Sequence, residues 1–474
     1  MAANHHLEQN LLKELESSPT NILYISHEHQ DHFDKKTLKK ISKYIDHCII
    51  PQYEDKFLFN ELSTLGLEVV ELEDQVKFYL NDNDYVELLI VDRGATHDSA
   101  AVLNIDNSVF VNQNDCKIFD RLNYFRDVDV DFYSVQFSGA NWHPVCYEIS
   151  EECKAEISRK KINAKLTALR RAIETIKPKY YIPSAGPAIF PFLDPNLSLG
   201  EDNIFIHQSK LKELFLGVDV EMIYLTPGSN VQFPNTTKPI NPPTREEIKL
   251  IKERLHCEFD EVLGSNFDEN RLIGEVNKRL EKVSDLKFEK CPIILFDWGN
   301  NGLEINLNNG TTKTIDLTKY LLPEEYMKIS ASEAYFHLMS DAQYRWQDVY
   351  LSLRASVQRS PDVFNTFVNI FISSDVTNIR SAFKTTIDVN EERIVVVDPH
   401  SGNNFEIQRF CPHNGADLKD ASIDESGNLI CPRHSWLFDL NRGGQCDRAD
   451  VSLKAKPVVD TISLCENISV RLLE

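Results

Sequence analysis

The sequence predicts an α/β protein that ends in an all-β segment, and three observations carry this expectation. Near the N-terminus the apolar run Asn21–Ser26 reads as a buried strand, passes through a polar loop and enters a helical pattern. Asp34 stands there as an N-cap, with Leu38, Ile41 and Ile45 on one face. Residues 150–177 place Ile, Leu and Ala at helical spacing among Lys, Arg and Glu, the pattern of one long amphipathic helix. From residue 380 onward, Thr385-Thr386-Ile387, Ile394–Val397 and Phe405-Glu406-Ile407 alternate or cluster as short strands.

Length and composition bound the rest. A chain of 474 residues, 42% hydrophobic and 26% charged, has the make-up of an ordinary globular protein, with room for about two to four domains. Its formal charge of −22 repels nucleic acid. No apolar run approaches the ~20 residues of a membrane span. Met1–His6 lacks the apolar segment of a secretory signal. The ten cysteines are scattered, which suits a reducing cytoplasm better than a disulfide framework. The Pro-, Asn- and Thr-rich stretch 234–243 reads as a linker. Beyond it, helices over Thr244–Cys257 and Phe267–Leu286, a hairpin turn at Asn308-Asn309-Gly310 and a helical stretch with Trp346, Tyr350 and Leu353 describe a mixed α/β segment. Its aromatic residues read as core, and Arg170 and Arg171 as the solvated face of the 150–177 helix. The expected division is 1–235, 236–378 and 379–474.

The last segment carries the most specific pattern. Cys411-Pro412-His413 and Cys431-Pro432-Arg433-His434 stand 17 residues apart. Each cysteine is followed by a proline that stiffens its loop. Two thiolates and two imidazoles at this spacing resemble a Rieske [2Fe–2S] centre, in which two histidines replace two cysteines on one iron. The continuation His434–Asp439 is similar to the Rieske pattern of ring-hydroxylating oxygenases and their ferredoxins. A Cys₂His₂ zinc site is the rival, disfavoured by the long gap and the short Cys-x-His. Gly415 and Ala416 stand where respiratory Rieske proteins carry a clamping disulfide, and no role falls to Cys446 or Cys465. The resemblance implies a [2Fe–2S] cluster on Cys411, His413, Cys431 and His434, and hence a consumer of single electrons.

At the other end the strand 21–26 runs into His27-Glu28-His29-Gln30-Asp31-His32. A strand, a His- and Asp-rich loop and a helix make good metal-site architecture, with donors that suit Zn, Fe or Mn. H-x-H-x-D-H in this setting resembles the metallo-β-lactamase fold, an αββα sandwich. The resemblance implies that His27 and His29 ligate one metal, and that Asp31 and His32 serve a second or that Asp31 moves protons. It also implicates His97, after the strand Tyr85–Asp92, and Asp115, after the strand Ser108–Asn112, as a bridging carboxylate. The family's closing histidine is missing, because the strand at Lys179–Ile182 runs into Pro183-Ser184-Ala185-Gly186-Pro187. His143 or His207 could substitute for it, although each reads rather as a structural or substrate-contacting residue, and one metal or two stays open. Only about 20 residues precede the histidine loop, where the family has additional strands; the sheet is expected to be trimmed, or this start is not that of a full-length homologue.

The pairing of these two modules resembles the CMP-N-acetylneuraminate hydroxylase family, with the module order swapped. Gln136–Asn141 and Ile182–Pro187 are also similar to that family's segments. The middle segment resembles sterol-carrier-type modules. The combined resemblance implies a cytoplasmic, Rieske-dependent monooxygenase that uses O₂ to hydroxylate or N-oxygenate a small polar substrate. Non-haem iron, one ion or two, would lie on His27, His29, His32 and His97 with Asp31 and Asp115 as carboxylates, and Asp31 would serve as the catalytic proton carrier if it is not a ligand. No Walker loop or dinucleotide fingerprint is present, so a separate reductase or ferredoxin is implied; a homo-oligomer is compatible with the sequence. Three other classes stay open: a zinc hydrolase with a Rieske redox sensor, a di-iron O₂ or NO reductase, and a non-enzymatic electron carrier.

Overall fold

The computed structural model describes residues 5–29, 31–93, 96–139, 141–184, 186, 204–208, 211–225, 246–247, 249–250, 253, 267–288, 290–341, 344–388, 392–446, 448–449 and 451–458. The 234–243 linker, most of the Thr244–Cys257 helix, parts of the loop after Ser184, and Cys465 lie outside the described residues.

After α1 (His5–Ser17), the strands β1 (Ile22–Tyr24), β2 (His47–Pro51) and β3 (Val69–Leu72) form a parallel sheet in chain order. The helices α2 (Lys35–Ile41) and α3 (Phe57–Thr64) are their crossovers. As expected, Asp34 caps α2, accepting from the Thr37 N–H at 2.6 Å. A second sheet takes β4 (Lys77–Tyr79), β5 (Tyr85–Arg93), β6 (Thr96–Ile105), β7 (Ser108–Asn114), β8 (Phe132–Gln136), β9 (Tyr180–Ser184) and β10 (Glu221–Met222) in the order 10-9-8-7-6-5-4. It is antiparallel up to β7 and parallel from there on.

Strand alternation then builds the layers. Leu38, Leu58 and Leu62 of α2 and α3 pack on Cys48 and Ile50. Ile49 and Leu72 of the first sheet meet Val86, Leu88 and Ala101 of the second. The opposite face of the second sheet, with Leu89, Val91, Ala100 and Val102, packs on Leu169, Ala172, Ile173 and Ile176 of α4 (Glu151–Ile176). Helix, sheet, sheet and helix are therefore stacked as the sandwich that the sequence predicts. The short α5 (Leu211–Leu214) joins the α4 side.

The middle segment holds α6 (Glu269–Val283), then β11 (Ile293–Asp297), β12 (Asn301–Asn306), β13 (Thr311–Asp316) and β14 (Tyr326–Ser330). α7 (Glu333–Ser340), α8 (Trp346–Leu351), β15 (Ser356–Ser360), α9 (Thr366–Ser373) and α10 (Ile379–Asp388) follow. The sheet order is 13-12-11-14-15, and the hairpin turn lies at Asn308–Gly310 as expected. Trp346, Tyr350 and Leu353 are core residues. One expectation fails: Thr385-Thr386-Ile387 is not a strand but the end of α10. Ile379, Ala382 and Phe383, at i, i+3 and i+4, bury that helix in the middle core and override the β-branched tail.

The C-terminal part is all-β. β16 (Arg393–Val397) and β17 (Asn404–Gln408) begin one sheet, and β18 (Ser422–Ile423), β19 (Asn428–Ile430), β20 (Leu437–Asp439) and β21 (Gln445–Cys446) form a second. β22 (Lys456–Val458) returns to complete the first. Phe405, Ile407, Leu418, Leu429, Phe438 and Leu453 fill the space around them. No helix among the described residues is long and apolar enough to cross a membrane.

Candidate metal centres and the seam between them

The first centre forms where β1 ends. Tyr53 donates its hydroxyl to the Ser26 carbonyl at 2.8 Å, pinning the start of the histidine loop. His27, only 1% exposed, turns its Nδ1 to Asp98 Oδ1 at 3.0 Å and to Ser26 Oγ at 2.9 Å. Its Nε2 then faces His29 Nδ1 at 2.6 Å. Asp115 closes the set: ligand atoms of His27, His29 and Asp115 all lie within 4.8 Å of one another.

A register shift at the end of β7 aims Asp115. Asn114 adopts a left-handed φ of +46°, and its Oδ1 accepts from the N–H groups of Asp115 (2.6 Å) and Cys116 (3.0 Å). Asp115 Oδ1 is buried and makes no hydrogen bond, although His32 Nε2 lies 3.3 Å away. Burial opposes ionisation of Asp115, but His27, His32 and His29 outweigh it and hold the carboxyl below its usual range. Burial likewise opposes charge on His27, and Asp98 overcomes it, raising the imidazole to about 9. A carboxylate behind an imidazole is the arrangement that orients metal-ligating histidines.

The other residues singled out from sequence sit further off. His32 stands at the rim, and Asp31 beyond it is 72% exposed, with Oδ2 3.5 Å from His32 Nε2. His97 is not in the group. Its Nε2 pairs with Asp92 Oδ1 at 2.8 Å and its ring stacks on Tyr53 at 4.6 Å. The cause is strand alternation: residues 97 and 98 face opposite sides of β6, and Asp98 takes the side of His27. Asp98 was missed because the histidine beside it carried the stronger sequence signal. His143 and His207 also lie outside the group. Two imidazoles and one carboxylate, whose buried Oδ1 lacks a hydrogen-bond partner, fit one metal ion; this donor set suits non-haem Fe(II) with open positions, and also zinc.

The second centre is built from two loops with the same backbone design. Cys411 N–H donates to Ala416 O and Gly415 N–H to Cys411 O, both at 2.8 Å. Cys431 N–H donates to Trp436 O at 2.9 Å and Ser435 N–H to Cys431 O at 2.8 Å. Gly415 and Ser435, the equivalent positions, have φ of +63° and +53°. Burial and the neighbouring Cys431 hold the Cys411 thiol well above its usual range, against the backbone N–H groups of His413 and Asn414, whereas Cys411 and then the N–H groups of Arg433 and His434 draw Cys431 below its own. His413 and His434 lie 4.7 Å apart between ring centroids, and His413 stacks on Trp436 at 3.9 Å. Both Nδ1 atoms are buried without a hydrogen-bond partner. Burial, then the nearby cations Lys117 and Lys161, push His413 down to about 3, so it stays in the neutral form that ligates iron. No three of these four side chains close within 4.8 Å as the N-terminal trio does. That spread and the two orphaned Nδ1 atoms fit a two-iron cluster better than one tetrahedral zinc ion.

The two centres meet along a polar seam. Lys117 Nζ, two residues beyond Asp115, lies 3.1 Å from His434 Nε2. Arg433 and Asp120, 5% and 2% exposed, form a two-pronged pair at 3.0 and 2.8 Å. Asp120 also accepts from the Asp417 N–H at 2.9 Å. Arg93 lies over the Phe410 ring at 3.7 Å. Arg171, expected on a solvated face, instead donates to Phe119 O (2.9 Å) and Pro432 O (3.3 Å); Arg170 does pair outward, with Glu174 at 2.9 Å.

Comparison with known proteins adds to this geometry. Residues 368–457 match the family model of the Rieske [2Fe-2S] domain. A Mycolicibacterium smegmatis (strain ATCC 700084 / mc(2)155) protein named for a Rieske 2Fe-2S iron–sulfur centre is 26% identical over 477 residues, covering 89% of this chain and 87% of its own. The ferredoxin component of the alkene monooxygenase system of Xanthobacter autotrophicus (strain ATCC BAA-1158 / Py2) is 32% identical over 71 residues, 15% of this chain and 57% of its own. The metallo-beta-lactamase fold protein YhfI from Bacillus subtilis superposes with a TM-score of 0.29 at 11% identity, covering 46% of this chain and 81% of its own.

Proposed function

We propose that this chain, which ends in a Rieske [2Fe–2S] domain, is a Rieske-dependent non-haem iron oxygenase that hydroxylates or N-oxygenates a small polar substrate. The observation that carries the reading is the seam: the loop that bears Asp115 also bears Lys117, whose Nζ lies 3.1 Å from the Rieske histidine His434. When bound, the cluster supplies single electrons and non-haem iron at His27, His29 and Asp115 supplies O₂ activation.

The chain's own residues do the rest. Asp98 fixes the tautomer of His27, leaving Nε2 for the metal. Asp115, held ionised by the surrounding imidazoles, brings the negative charge that a cation needs. Asp31, exposed and next to His32, is placed to pass protons between solvent and the pocket rim. The buried Arg433–Asp120 pair ties the second Cys–His loop to the segment that follows Asp115. Inserting one oxygen atom of O₂ into a C–H or N–H bond consumes two electrons and two protons, and the second oxygen atom leaves as water. The electrons come from a separate reductase or ferredoxin.

The test is iron and zinc quantification of the purified chain, together with EPR of the dithionite-reduced protein. A rhombic Rieske signal is expected, with additional iron that disappears in His27→Ala and His29→Ala while the signal persists. A stoichiometric zinc ion in that pocket, with iron confined to the cluster, would overturn the reading in favour of a hydrolase with a redox sensor, because the same donors bind zinc.

A further inference from the structure

Between the two centres the interior collects positive charge. Lys161 and Lys165, four residues apart on α4, share one face of that helix. Lys161 Nζ donates to the His143 carbonyl at 2.7 Å. Lys165 Nζ donates to the Ser138 carbonyl at 2.7 Å and to Gln136 Oε1 at 2.5 Å. Lys117 comes from the other side, against His434. Lys165 feels the charges of Lys117 and Asp115, and Lys161 those of Lys117, Arg448 and Arg359.

Among the described residues, none of these three lysines forms an ion pair with a carboxylate; their bonded partners are carbonyl oxygens and an imidazole. The nearby Arg359 is already paired, with Asp362 at 2.6 Å. Ser138 is fully buried, and its Oγ has no partner. In a chain of net charge −22, three half-buried amines that bond no carboxylate, with only the histidine-side carboxylates Asp115 and Asp98 acting on Lys117 and Asp115 on Lys165, need an explanation. Placing like charges together away from bulk water is unfavourable unless an anion joins them. Burial first, and the neighbouring cations second, push Lys161 and Lys165 down to about 7.

A rival role would be to tune the cluster. Lys117 and Lys161 are among the strongest charges acting on His413 and His434, whereas Lys165 is not among the strongest on either ring. It faces Asp115 instead.

We infer that Lys165, Lys161 and Lys117 bind an oxyanion, a carboxylate or phosphate group of the substrate, between the histidine loop and the Rieske histidines. Charge-assisted N–H···O bonds from lysine suit either group. That the anion belongs to a substrate rests on the oxygenase reading; the anion site itself does not.

The test is calorimetric titration of the whole 474-residue, iron-loaded chain at fixed ionic strength, with inorganic phosphate and, separately, with acetate. Saturable binding of one anion is expected, and the anion that binds names the group. Lys161→Met and Lys165→Met should each weaken it about tenfold or more, a loss of ~1.4 kcal/mol. Lys160→Met, on the exposed side of α4 and paired with Glu156, should leave it unchanged. The Rieske EPR signal reports folding of each variant, and Lys165→Gln replaces any methionine variant that fails to fold. The inference falls if neither anion binds the wild type, if the Lys165 variant isotherm matches the wild type, or if the variant moves the cluster's potential while binding is unchanged. Anion binding in a protein that consumes no O₂ under reduction would defeat the oxygenase reading and leave the anion site standing.

Discussion

His27 owes its orientation to Asp98, because the 3.0 Å contact to Nδ1 settles which ring nitrogen points into the pocket. Asp98→Asn is therefore expected to lower metal affinity about 10- to 100-fold, as the loss of such outer partners does. Asp92→Asn, which disturbs only the His97 pair, should leave it unchanged; equal losses in competition titrations with a chelator would refute the distinction. Asp120 is the second residue of consequence. Removing it strands the Arg433 guanidinium, and breaking such a buried pair costs about 3–5 kcal/mol. Urea denaturation of Asp120→Ala should show a destabilisation of that size, most of it recovered when Arg433→Met is added. At this scale the sequence was most readable where chemistry is concentrated: the Cys–His loops and the first two histidines of H-x-H-x-D-H stand out from spacing alone. It was least readable where a side chain's role depends on the strand face it occupies. Nothing before the hairpin register, with Asp92 opposite His97 and Val91 opposite Asp98, tells residue 97 from residue 98.

Elements repeat the lesson. Capped helices and turn-bounded strands, such as α2, α4 and the β12–β13 hairpin, were legible because local chemistry sets their ends. α10 was not, since Thr385 and Thr386 look like strand residues until Phe383 is seen to pack in the middle core. The docking of the Cys–His loops on the first sandwich was equally hidden, being a long-range contact. One small residue sets its closest approach. At Gly415, φ is +63° and an added Cβ would lie 2.7 Å from Arg93 Cβ. At Gly66, φ is +76° and nothing lies within 4 Å. Left-handed strain alone costs about 1–3 kcal/mol, so Gly66→Ala isolates that cost. Gly415→Ala should lose clearly more, because the loop or Arg93 must move. Thermal unfolding of the two variants compares them directly, and equal shifts in Tm would mean that the close approach to Arg93 contributes nothing.

Across the whole molecule, a chain of net charge −22 gathers Lys117, Arg433, Arg93 and Arg171 in the seam that joins both centres within one chain. The Lys117–His434 contact needs no second subunit. The same seam predicts how stability varies with pH. Lys161 and Lys165 fall from 10.5 in the unfolded chain to about 7 in the fold. Below pH 7 both states carry the protons, and the fold bears the full cost of enclosing the charges. As pH rises through 7 the folded lysines lose protons that the unfolded chain keeps, so the unfolded state binds more protons and stability climbs. The gain should show between pH 7 and about 8.5, because buried thiols act in the opposite sense above their ordinary range. Cys48 and Cys146, pushed up to about 12 by burial, stay protonated in the fold while the unfolded chain ionises, so stability falls there. His27, raised to about 9 by Asp98 against its burial, acts in the opposite sense over this window when no metal holds it. The lysine contribution is therefore read in the iron-loaded protein, where urea midpoints in anion-free buffer should rise from pH 7 to about 8.5 in the wild type. The rise should be smaller in the Lys161→Met/Lys165→Met double variant. Saturating phosphate or acetate, whichever binds, should flatten the wild-type curve as well, since an anion held by the lysines keeps them charged. A wild-type slope that survives both the double substitution and the bound anion would place its origin outside the seam.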